Sequence, residues 1–197
     1  KNIQSKDFSW NTDFIFSKAK NEVTELNARS SVMDLVSGYG FARQGYPVRG
    51  LFSIPFVGLS SNGIPMYNIN GKITSTDIDF QTRDNIDYLK YEGPTDPTIT
   101  GSFGNIFTYK AFKLNVFITY SFGNVVRLNP CFSYQYSDLS SMPREFKNRW
   151  TVPGDEKHTN IPAIISKRQY EDNKDLMYAY NAYNYSTERI AKGDFIR

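Results

Sequence analysis

Two consecutive runs of alternating side chains, at residues 103–111 and 112–122, constrain the fold of this chain more than any other feature. In the second run every even-numbered position is apolar or aromatic, whereas four of the five odd-numbered positions are polar. Alternation with a period of two is typical of a half-buried β-strand, because successive side chains of a strand point to opposite faces. The parity of the pattern changes at residues 110–113, which predicts a tight turn between two antiparallel strands.

A third alternating run covers residues 7–17, where four of the five even-numbered positions are aromatic: Phe8, Trp10, Phe14 and Phe16. This run predicts another strand over residues 6–18. A last strand is expected to begin near residue 188 and to be still running at Arg197. We therefore expect the chain to be a piece of a longer protein.

The strand lengths and the composition favour a membrane setting. Runs of about 9 and 11 residues match the tilted length of a strand that crosses a bilayer. Aromatic residues make up 16 % of the chain although its mean hydropathy is −0.50, so the rings belong to a sequence that is polar on average. We predict an all-β fold, a segment of an antiparallel transmembrane β-barrel with long extracellular loops. Its lipid-facing residues would be Phe112, Leu114, Val116, Ile118, Tyr120 and Phe122.

The alternation by itself also fits a soluble antiparallel sheet with one buried face. The connections favour the barrel, because residues 19–100 and roughly 137–187 are long and rich in Gly, Pro, Asn, Asp and Ser, whereas the turn at 110–113 is tight. Connections of such length are uncommon in compact soluble domains. Short turns on one rim and long loops on the other are typical of outer-membrane barrels.

The predicted organisation is one partial barrel with two excursions. In chain order it has a strand at 6–18, an extracellular excursion at 19–100, a hairpin at 101–123 with a periplasmic turn near 110–113, a strand extension with a second extracellular excursion at 124–187, and the start of a further strand at 188–197. Within the excursions we expect a strand near residues 51–57, a helical turn at 142–150 and an extended stretch at 177–185.

The sequence offers little for catalysis, so we predict that the chain is not an enzyme. It has one His and one Cys, and it carries no HExxH, GxSxG, Walker or GxGxxG pattern. With Cys131 alone, an internal disulfide cannot form. The net charge of +3 is dispersed without a basic stripe, which argues against nucleic-acid binding.

Four carboxylates in the loop at residues 70–87 come closest to a metal site: Asp77, Asp79, Asp84 and Asp87. Hard cations such as calcium bind several carboxylate and carbonyl oxygens, but the spacing fits no EF-hand. A solvated acidic loop is the preferred interpretation and calcium the alternative. We predict no metal and no other cofactor.

Aromatic residues in the polar excursions are the candidates for substrate contact, because exposed rings beside Arg, Asp and Asn suit sugar and peptide binding. The candidates are the rings of Trp150, Tyr67 and Tyr170 and the polar neighbour Arg149. The alternative for each ring is packing within the loops or against a partner.

Several short segments occur in an order that resembles a known family. They are KDFSWNTDFIFS at 6–17, NEVTEL at 21–26, GYPV at 45–48, PTITGSFGN at 97–105, NRWTVPG at 148–154 and GDFIR at 193–197. Together they resemble the C-terminal part of SusC/RagA-type TonB-linked outer-membrane transporters. Residues 74–91 depart from the family pattern, because an acidic, glycine-containing motif usual there is degenerate in this chain.

The resemblance implies a barrel of about 22 strands with a plugged lumen, located in the outer membrane of a Bacteroidetes-like cell. It implies TonB-dependent active import of a nutrient, which would be a small molecule, an oligosaccharide or a peptide. A SusD-like surface lipoprotein would close over the top, TonB would engage an N-terminal part that lies outside this sequence, and outer-membrane lipid would surround the wall. The alternative function is a soluble all-β carbohydrate-binding module.

Overall fold

The computed structural model describes residues 1–38, 42–130 and 141–197, so Cys131 lies outside the described residues. No helix in these ranges is long and apolar enough to cross a membrane. The strands are β1 (Ile3–Gln4), β2 (Phe8–Lys18), β3 (Gly50–Ser53), β4 (Phe56–Leu59), β5 (Pro65–Ile69), β6 (Lys72–Thr74), β7 (Lys90–Pro94), β8 (Ile99–Tyr109), β9 (Phe112–Phe122), β10 (Val125–Arg127), β11 (Ile190–Lys192) and β12 (Phe195–Ile196). The α-helices are α1 (Val32–Ser37), α2 (Lys167–Asp172) and α3 (Leu176–Asn184), and 3-10 helices lie at Ile86–Tyr88, Arg144–Asn148, Asp155–Lys157 and Thr187–Arg189.

Five strands form one antiparallel sheet in the order β1-β2-β8-β9-β12, which we call the wall. β8 pairs along its whole length with β2 on one side and with β9 on the other. The strand expected at residues 6–18 corresponds to β2, and the hairpin expected at 101–123 corresponds to β8 and β9. The hairpin turns at residues 110–111.

The register places most apolar side chains of the wall on one side, which we call the apolar face. Residues directly opposite each other in neighbouring strands point to the same side of a sheet. Trp10 pairs with Phe107, and Phe107 pairs with Leu114, so even positions of β2 and β9 share a face with odd positions of β8. The large apolar members of this face are Phe8, Trp10, Phe14, Phe16, Ile99, Phe103, Phe107, Tyr109, Phe112, Leu114, Val116, Ile118, Tyr120 and Phe122.

Both faces of the wall are open within the described part of the chain. On the apolar face, Phe112 is 80 % exposed and Leu114 is 60 % exposed. On the opposite, mostly polar face, Phe117 is 64 % exposed. The wall therefore has no core of its own, and its strands are held together by the backbone ladder and by contacts across each face.

Two side-chain bridges cross the apolar face. Tyr120 lies over Gly101 of the neighbouring strand, and its hydroxyl donates a hydrogen bond to a backbone carbonyl of β2 at 3.0 Å. Nearer the hairpin turn, Asn105 Oδ1 accepts hydrogen bonds from Trp10 Nε1 at 2.8 Å and from Thr12 Oγ1 at 2.7 Å. These bridges tie β2 to both strands of the hairpin.

The two ends of the wall differ. At one end, which we call the turn end, the turns at residues 5–7 and 110–111 lie side by side, because the Lys110 N–H donates to the Asp7 carbonyl at 2.8 Å. At the other end the chain leaves the wall twice, for residues 19–98 and for residues 123–194. Short connections at one end and long ones at the other are thus present in the structure.

The two excursions fold together into one body, which we call the module. Its sheets are the pair β3-β7, the three-stranded sheet β4-β5-β6 and the pair β10-β11. The excursions are joined directly, because the Ile54 N–H donates to the Tyr185 carbonyl at 3.0 Å and the Thr187 N–H donates to the Ile54 carbonyl at 3.1 Å.

Two clusters of buried side chains stabilise the module. Both draw on segments that are remote in sequence. The first consists of Val32, Leu35, Val36, Phe52, Ile54, Tyr67, Ile78, Phe80, Leu89 and Ala182. The second consists of Phe146, Ile165, Leu176, Ala179, Tyr180 and Tyr183.

Arg127 fixes β10, the strand that follows the wall, to the rest of the module. It lies on β10, which directly follows β9, and its guanidinium donates hydrogen bonds to the carbonyls of Val36 (3.0 Å), Phe52 (2.6 Å) and Ser186 (3.3 Å). Burial lowers the pKa of Arg127 to about 10, so the side chain is still charged at neutral pH. The helix α1, the strand β3 and the segment after α3 are therefore held against β10.

The extended stretch predicted at residues 177–185 is wrong, since residues 177–184 belong to α3 and Tyr185 caps its C-terminal end. The tyrosines of this segment form two alternating pairs, Tyr178 with Tyr180 and Tyr183 with Tyr185, and each pair fits a strand locally. The helical period prevails because it gathers Ala179, Tyr180 and Tyr183 on one side that packs into the second core.

At two other segments of the excursions, the structure forms regular elements close to those predicted. The strand expected at residues 51–57 is divided into β3 and β4 around Pro55, which has no N–H to donate to a ladder. The helical turn expected at residues 142–150 is the 3-10 helix Arg144–Asn148.

Candidate ligand-binding site

Trp150 lies at the start of a loop, residues 149–161, that closes on itself. The Trp150 N–H donates to the Ile161 carbonyl at 2.9 Å. The 3-10 helix Arg144–Asn148 leads into the loop and is anchored by Phe146, which is buried in the second core. The backbone position of Trp150 is therefore set from both sides.

Two carboxylates shape this loop. Asp155 accepts hydrogen bonds from the backbone N–H groups of Thr151 at 2.9 Å and Val152 at 3.1 Å. These bonds lower the pKa of Asp155. Glu156 accepts from the Gly154 N–H at 2.7 Å and from Trp150 Nε1 at 3.2 Å. The pKa of Glu156 is likewise lowered, chiefly by hydrogen bonds from its own N–H and that of Gly154. Both groups are anionic at neutral pH, so their charge supports the loop.

One face of the Trp150 indole covers Gly63. A Cβ atom at Gly63 would lie 2.5 Å from Trp150 Cδ2 and 2.7 Å from the Ala163 Cβ. Gly63 also has a φ of +73°, in the left-handed region where glycine is favoured. The Ala163 N–H donates to the Gly63 carbonyl at 3.0 Å, so this close approach joins the two excursions.

A cleft of about 320 Å³ opens beside the ring. This volume lies at the lower end of the range of small-ligand pockets, which is roughly 300 to 1,000 Å³. Its apolar lining comes from Trp150 and from aliphatic side chains of both excursions. Its polar lining consists of three side-chain amides: Asn62, Gln169 and Asn173.

The three amides keep hydrogen-bonding capacity for a ligand. Gln169 Oε1 accepts from the Ser166 N–H at 2.8 Å and completes a capping box at the start of α2. Asn173 Oδ1 accepts from the Asp175 N–H at 3.1 Å. In the part of the chain that the structure describes, neither amide nitrogen has a partner, and the Asn62 side chain has none either.

An aromatic ring, an aliphatic floor and uncharged amides suit a neutral ligand. Amide groups offer a donor and an acceptor together, which match peptide groups or sugar hydroxyls. Among the residues that the structure describes, no Ser, Cys, His or carboxylate side chain that could act as nucleophile or base lines the cleft. The arrangement therefore supports binding.

Among the four candidate substrate contacts from the sequence, Tyr67 must be corrected. Its side chain is fully buried, and its hydroxyl donates to the Ala179 carbonyl at 2.7 Å. Burial raises the pKa of Tyr67 well above its ordinary value. The ring packs in the first core beneath α3, so it offers no surface to a ligand in this conformation.

Arg149 and Tyr170 lie near the cleft but do not line it. The Arg149 guanidinium donates to the Phe146 carbonyl at 3.1 Å and so caps the preceding 3-10 helix. Tyr170 is half-buried on α2, and the Lys174 Nζ lies 4.1 Å from its ring centroid. Of the four candidates, Trp150 alone lines the cleft, and contact of Arg149 or Tyr170 with substrate stays a prediction.

The carboxylates of the 70–87 loop do not converge. Three of them form ion pairs with basic side chains from different segments: Asp77 with Lys72, Asp84 with Arg29, and Asp87 with Arg43. Asp79 accepts from the Gln81 N–H at 2.8 Å. Among the described residues, no group of three or more His, Cys, Asp or Glu side chains could hold a metal ion.

Sequence reasoning missed the amide half of the cleft. Ser166 followed three residues later by Gln169 is a readable helix start, and Ser61-Asn62-Gly63 is a readable turn. Neither signal says that the two segments meet at Trp150, because that contact spans both excursions.

A curated relative and several solved structures resemble the chain. It is 24 % identical over 216 residues to TonB-dependent receptor P3 of Formosa agariphila, a match that covers 92 % of this chain and 20 % of that protein. No family model matches the chain.

The fold is similar to that of the RagAB peptide transporter, with a TM-score of 0.58 and 18 % identity over 99 % of this chain and 20 % of the other. For the RagAB peptide importer in its open-open state, the TM-score is 0.59 and the identity 17 %, over 98 % of this chain and 20 % of the other. The closed-closed state gives a TM-score of 0.55. At this level of identity the likeness concerns the fold.

These likenesses place the chain in the class of all-β, antiparallel folds to which a part of the RagAB structures belongs. Within that class, it resembles part of a TonB-dependent receptor, and the predicted resemblance to SusC/RagA-type transporters is confirmed. The chain spans about a fifth of the length of the relatives that it matches.

Proposed function

We propose that this chain supplies part of the barrel wall and part of the extracellular rim of a TonB-dependent transporter, which imports a nutrient across the outer membrane. The observation that carries the proposal is the apolar face of the wall, which no described residue of the chain covers. Phe112, Leu114 and Phe14 are 80 %, 60 % and 65 % exposed on that face. An exposed apolar surface of this extent needs an apolar environment to cover it, and membrane lipid provides one.

The dimensions of the wall support this setting. β8 and β9 each have 11 residues, and 11 residues at about 3.3 Å each, tilted by about 45°, cover roughly 25 Å of membrane. Along the outer edge of β9, residues 112–118 have no strand partner among the described residues. Unpaired backbone groups are costly in hydrocarbon, so these edges would pair with further strands of a closed barrel.

The module would then form part of the extracellular rim. In this orientation the turn end faces the periplasm, and the Trp150 cleft lies on the side where substrate arrives. The amides and the indole of the cleft would hold a neutral peptide or oligosaccharide. The RagAB structures are described as those of a peptide transporter, which favours the peptide class.

The proposed mechanism is active import without covalent chemistry. Substrate would be captured between the module and a SusD-like surface lipoprotein, and it would be released inward when TonB pulls on the plug. TonB would engage a part of the protein that lies outside this sequence.

The alternative of a soluble carbohydrate-binding module is less well supported. It requires the aromatic side of β9 to be buried in protein. In this chain Phe112 and Leu114 on that side are among the most exposed apolar residues.

Extraction of the native protein tests the proposal. An antibody against residues 141–187 would follow the whole protein through washing of outer membranes with alkaline carbonate and then with detergent. We expect release by detergent only, of a species several times heavier than 22.6 kDa that brings a lipoprotein with it. Release of a 22.6 kDa species without detergent would overturn the transporter and favour the soluble module.

Uptake assays test the cleft. With a labelled peptide digest and a labelled oligosaccharide mixture as probes, Trp150→Ala should raise the half-saturating concentration of the accepted class by about tenfold, as truncation of a central contact residue commonly does. Val152→Ala is the matched control, because Val152 lies in the same loop, is 56 % exposed and does not line the cleft. Equal uptake by both variants would remove Trp150 from the substrate site.

A further inference from the structure

Two exposed lysines lie at the turn end of the wall. Lys6 and Lys110 lie in the two tight turns, which are joined by the hydrogen bond from the Lys110 N–H to the Asp7 carbonyl. Both side chains are exposed. No carboxylate lies within ion-pairing distance of either ammonium group among the described residues, whereas Lys72 and Lys90 in the module each pair with a carboxylate.

Lys110 occupies a backbone position that does not favour lysine. Its φ is +52°, in the left-handed region where glycine and asparagine are preferred and other side chains cost free energy.

The Lys110 side chain folds toward the apolar face. Its Nζ lies 5.4 Å from the centroid of the Tyr109 ring, and the register places Tyr109 beside Phe112 on the apolar face. Tyr109 is 54 % exposed and Phe112 is 80 % exposed. The ammonium group therefore lies at the edge of a belt of exposed aromatic rings.

In a membrane barrel such a belt lies at the boundary between hydrocarbon and headgroups. A cation at the outer edge of the belt is at the depth of lipid phosphates, and its aliphatic stem can lie along the rings while its charged end reaches the polar layer. At the turn end, this layer is the periplasmic leaflet.

We propose that Lys6 and Lys110 form a binding site for the phosphate of anionic glycerophospholipids in the periplasmic leaflet. This inference rests on the proposed membrane setting and orientation of the wall, and it adds a specific lipid contact to them. The site would fix the depth of the turn end by holding headgroups against the Tyr109 and Phe112 rings.

Native mass spectrometry of the purified whole protein tests the proposal, with phosphatidylglycerol or phosphatidylcholine added to a mild detergent. We expect selective retention of phosphatidylglycerol. Lys110→Gly and Lys6→Gln should each weaken its binding by about fivefold, since a basic residue near an anionic surface contributes on this scale. Lys110→Gly should not disturb the turn, because glycine accepts a φ of +52° without strain.

Lys113→Gln is the matched control. Lys113 is exposed and belongs to the same hairpin, but it lies opposite Thr108 on the polar face of the wall. Its loss should leave phosphatidylglycerol binding unchanged. Equal losses in all three variants would show a general effect of net charge and overturn the site, and so would displacement of the lipid by inorganic phosphate.

The outcomes separate this proposal from the transporter function. If the protein requires detergent and imports substrate while Lys110→Gly retains wild-type lipid binding, the lysine site is refuted and the transporter stands. If the protein is released without detergent, the membrane setting fails, and the lysine site fails with it.

Discussion

In the wall, large aromatic side chains point outward, and Phe112 and Phe14 are 80 % and 65 % exposed. In the module, rings of the same kind point inward, and Tyr67 and Tyr180 are fully buried. The two regions thus use aromatic residues in opposite ways. The module gains stability by removing rings from water into its own cores, whereas the rings of the wall are left exposed and, in the proposed membrane setting, would be covered by lipid.

This contrast has a consequence for where mutations act. Substitutions in the module should matter through local packing, with or without a membrane. Substitutions in the wall should matter according to the face on which they fall, and only when the barrel is embedded. Pairs of neighbouring residues in each region test this distinction.

The largest effect is expected for Tyr180→Ala in the module. The ring is buried, and its hydroxyl donates to the Ala163 carbonyl at 2.6 Å. Removing a buried aromatic side chain typically costs about 3 to 5 kcal/mol of unfolding free energy. Pulse proteolysis of the module in urea would measure the loss.

The control is Tyr178→Ala on the same helix, since Tyr178 is 40 % exposed. Its cost should stay within about 1 kcal/mol, as is usual for surface positions. Similar losses for both variants would mean that α3 does not pack as described.

A smaller effect is expected for Ile118→Arg in the wall. Ile118 lies on the apolar face, and an arginine facing lipid near mid-bilayer costs about 2 to 4 kcal/mol. Thr119→Arg, one position further on the opposite face, should be far milder. Folding of the whole barrel into vesicles measures both, and equal effects would contradict the assigned register.

A further test of the wall is Asn105→Ala. It removes the acceptor for Trp10 Nε1 and Thr12 Oγ1 on the apolar face. Unsatisfied buried donors cost about 1 to 3 kcal/mol. Asn115→Ala is the control, because Asn115 lies on the polar face and is exposed. A neutral Asn105→Ala in vesicles would show that water reaches this part of the wall, in conflict with a lipid-covered face.

The smallest effect concerns pH and the Trp150 loop. The pKa values of Asp155 and Glu156 are lowered by hydrogen bonds to their charged forms. Their contribution to loop stability is therefore complete above the unfolded-state pKa, near pH 4, and it is lost as the pH falls through the lowered folded-state values. Hydrogen exchange of residues 149–161, corrected for intrinsic rates, should show loss of protection in this acidic range.

Asp155→Asn is the control for this titration. It should weaken the protection already at neutral pH, because the charge that accepts the Thr151 N–H is gone. Unchanged protection in Asp155→Asn at neutral pH would mean that the Asp155 carboxylate does not hold the loop.

Much of the wall could be predicted from the sequence, because the information is local. The side-chain period of β9 and the parity change near residue 110 define a strand, its apolar side and its turn without knowledge of any distant residue. The resemblance to TonB-dependent transporters also rests on local segments, and it is confirmed by the relatives. By contrast, residues 177–185 contain two pairs of alternating tyrosines that favour a strand locally. The helix formed there was therefore missed.

The sequence alone thus determined the strands of the wall and their faces, since a period of two fixes which side chains share a side. Only the tertiary structure decided that Tyr67 is buried beneath α3 and that Trp150 meets Gly63 and the amides of Asn62, Gln169 and Asn173. The physical reason is that burial and the formation of a cleft depend on contacts between the two excursions. Such contacts join residues far apart in sequence, and no local pattern of side chains records them.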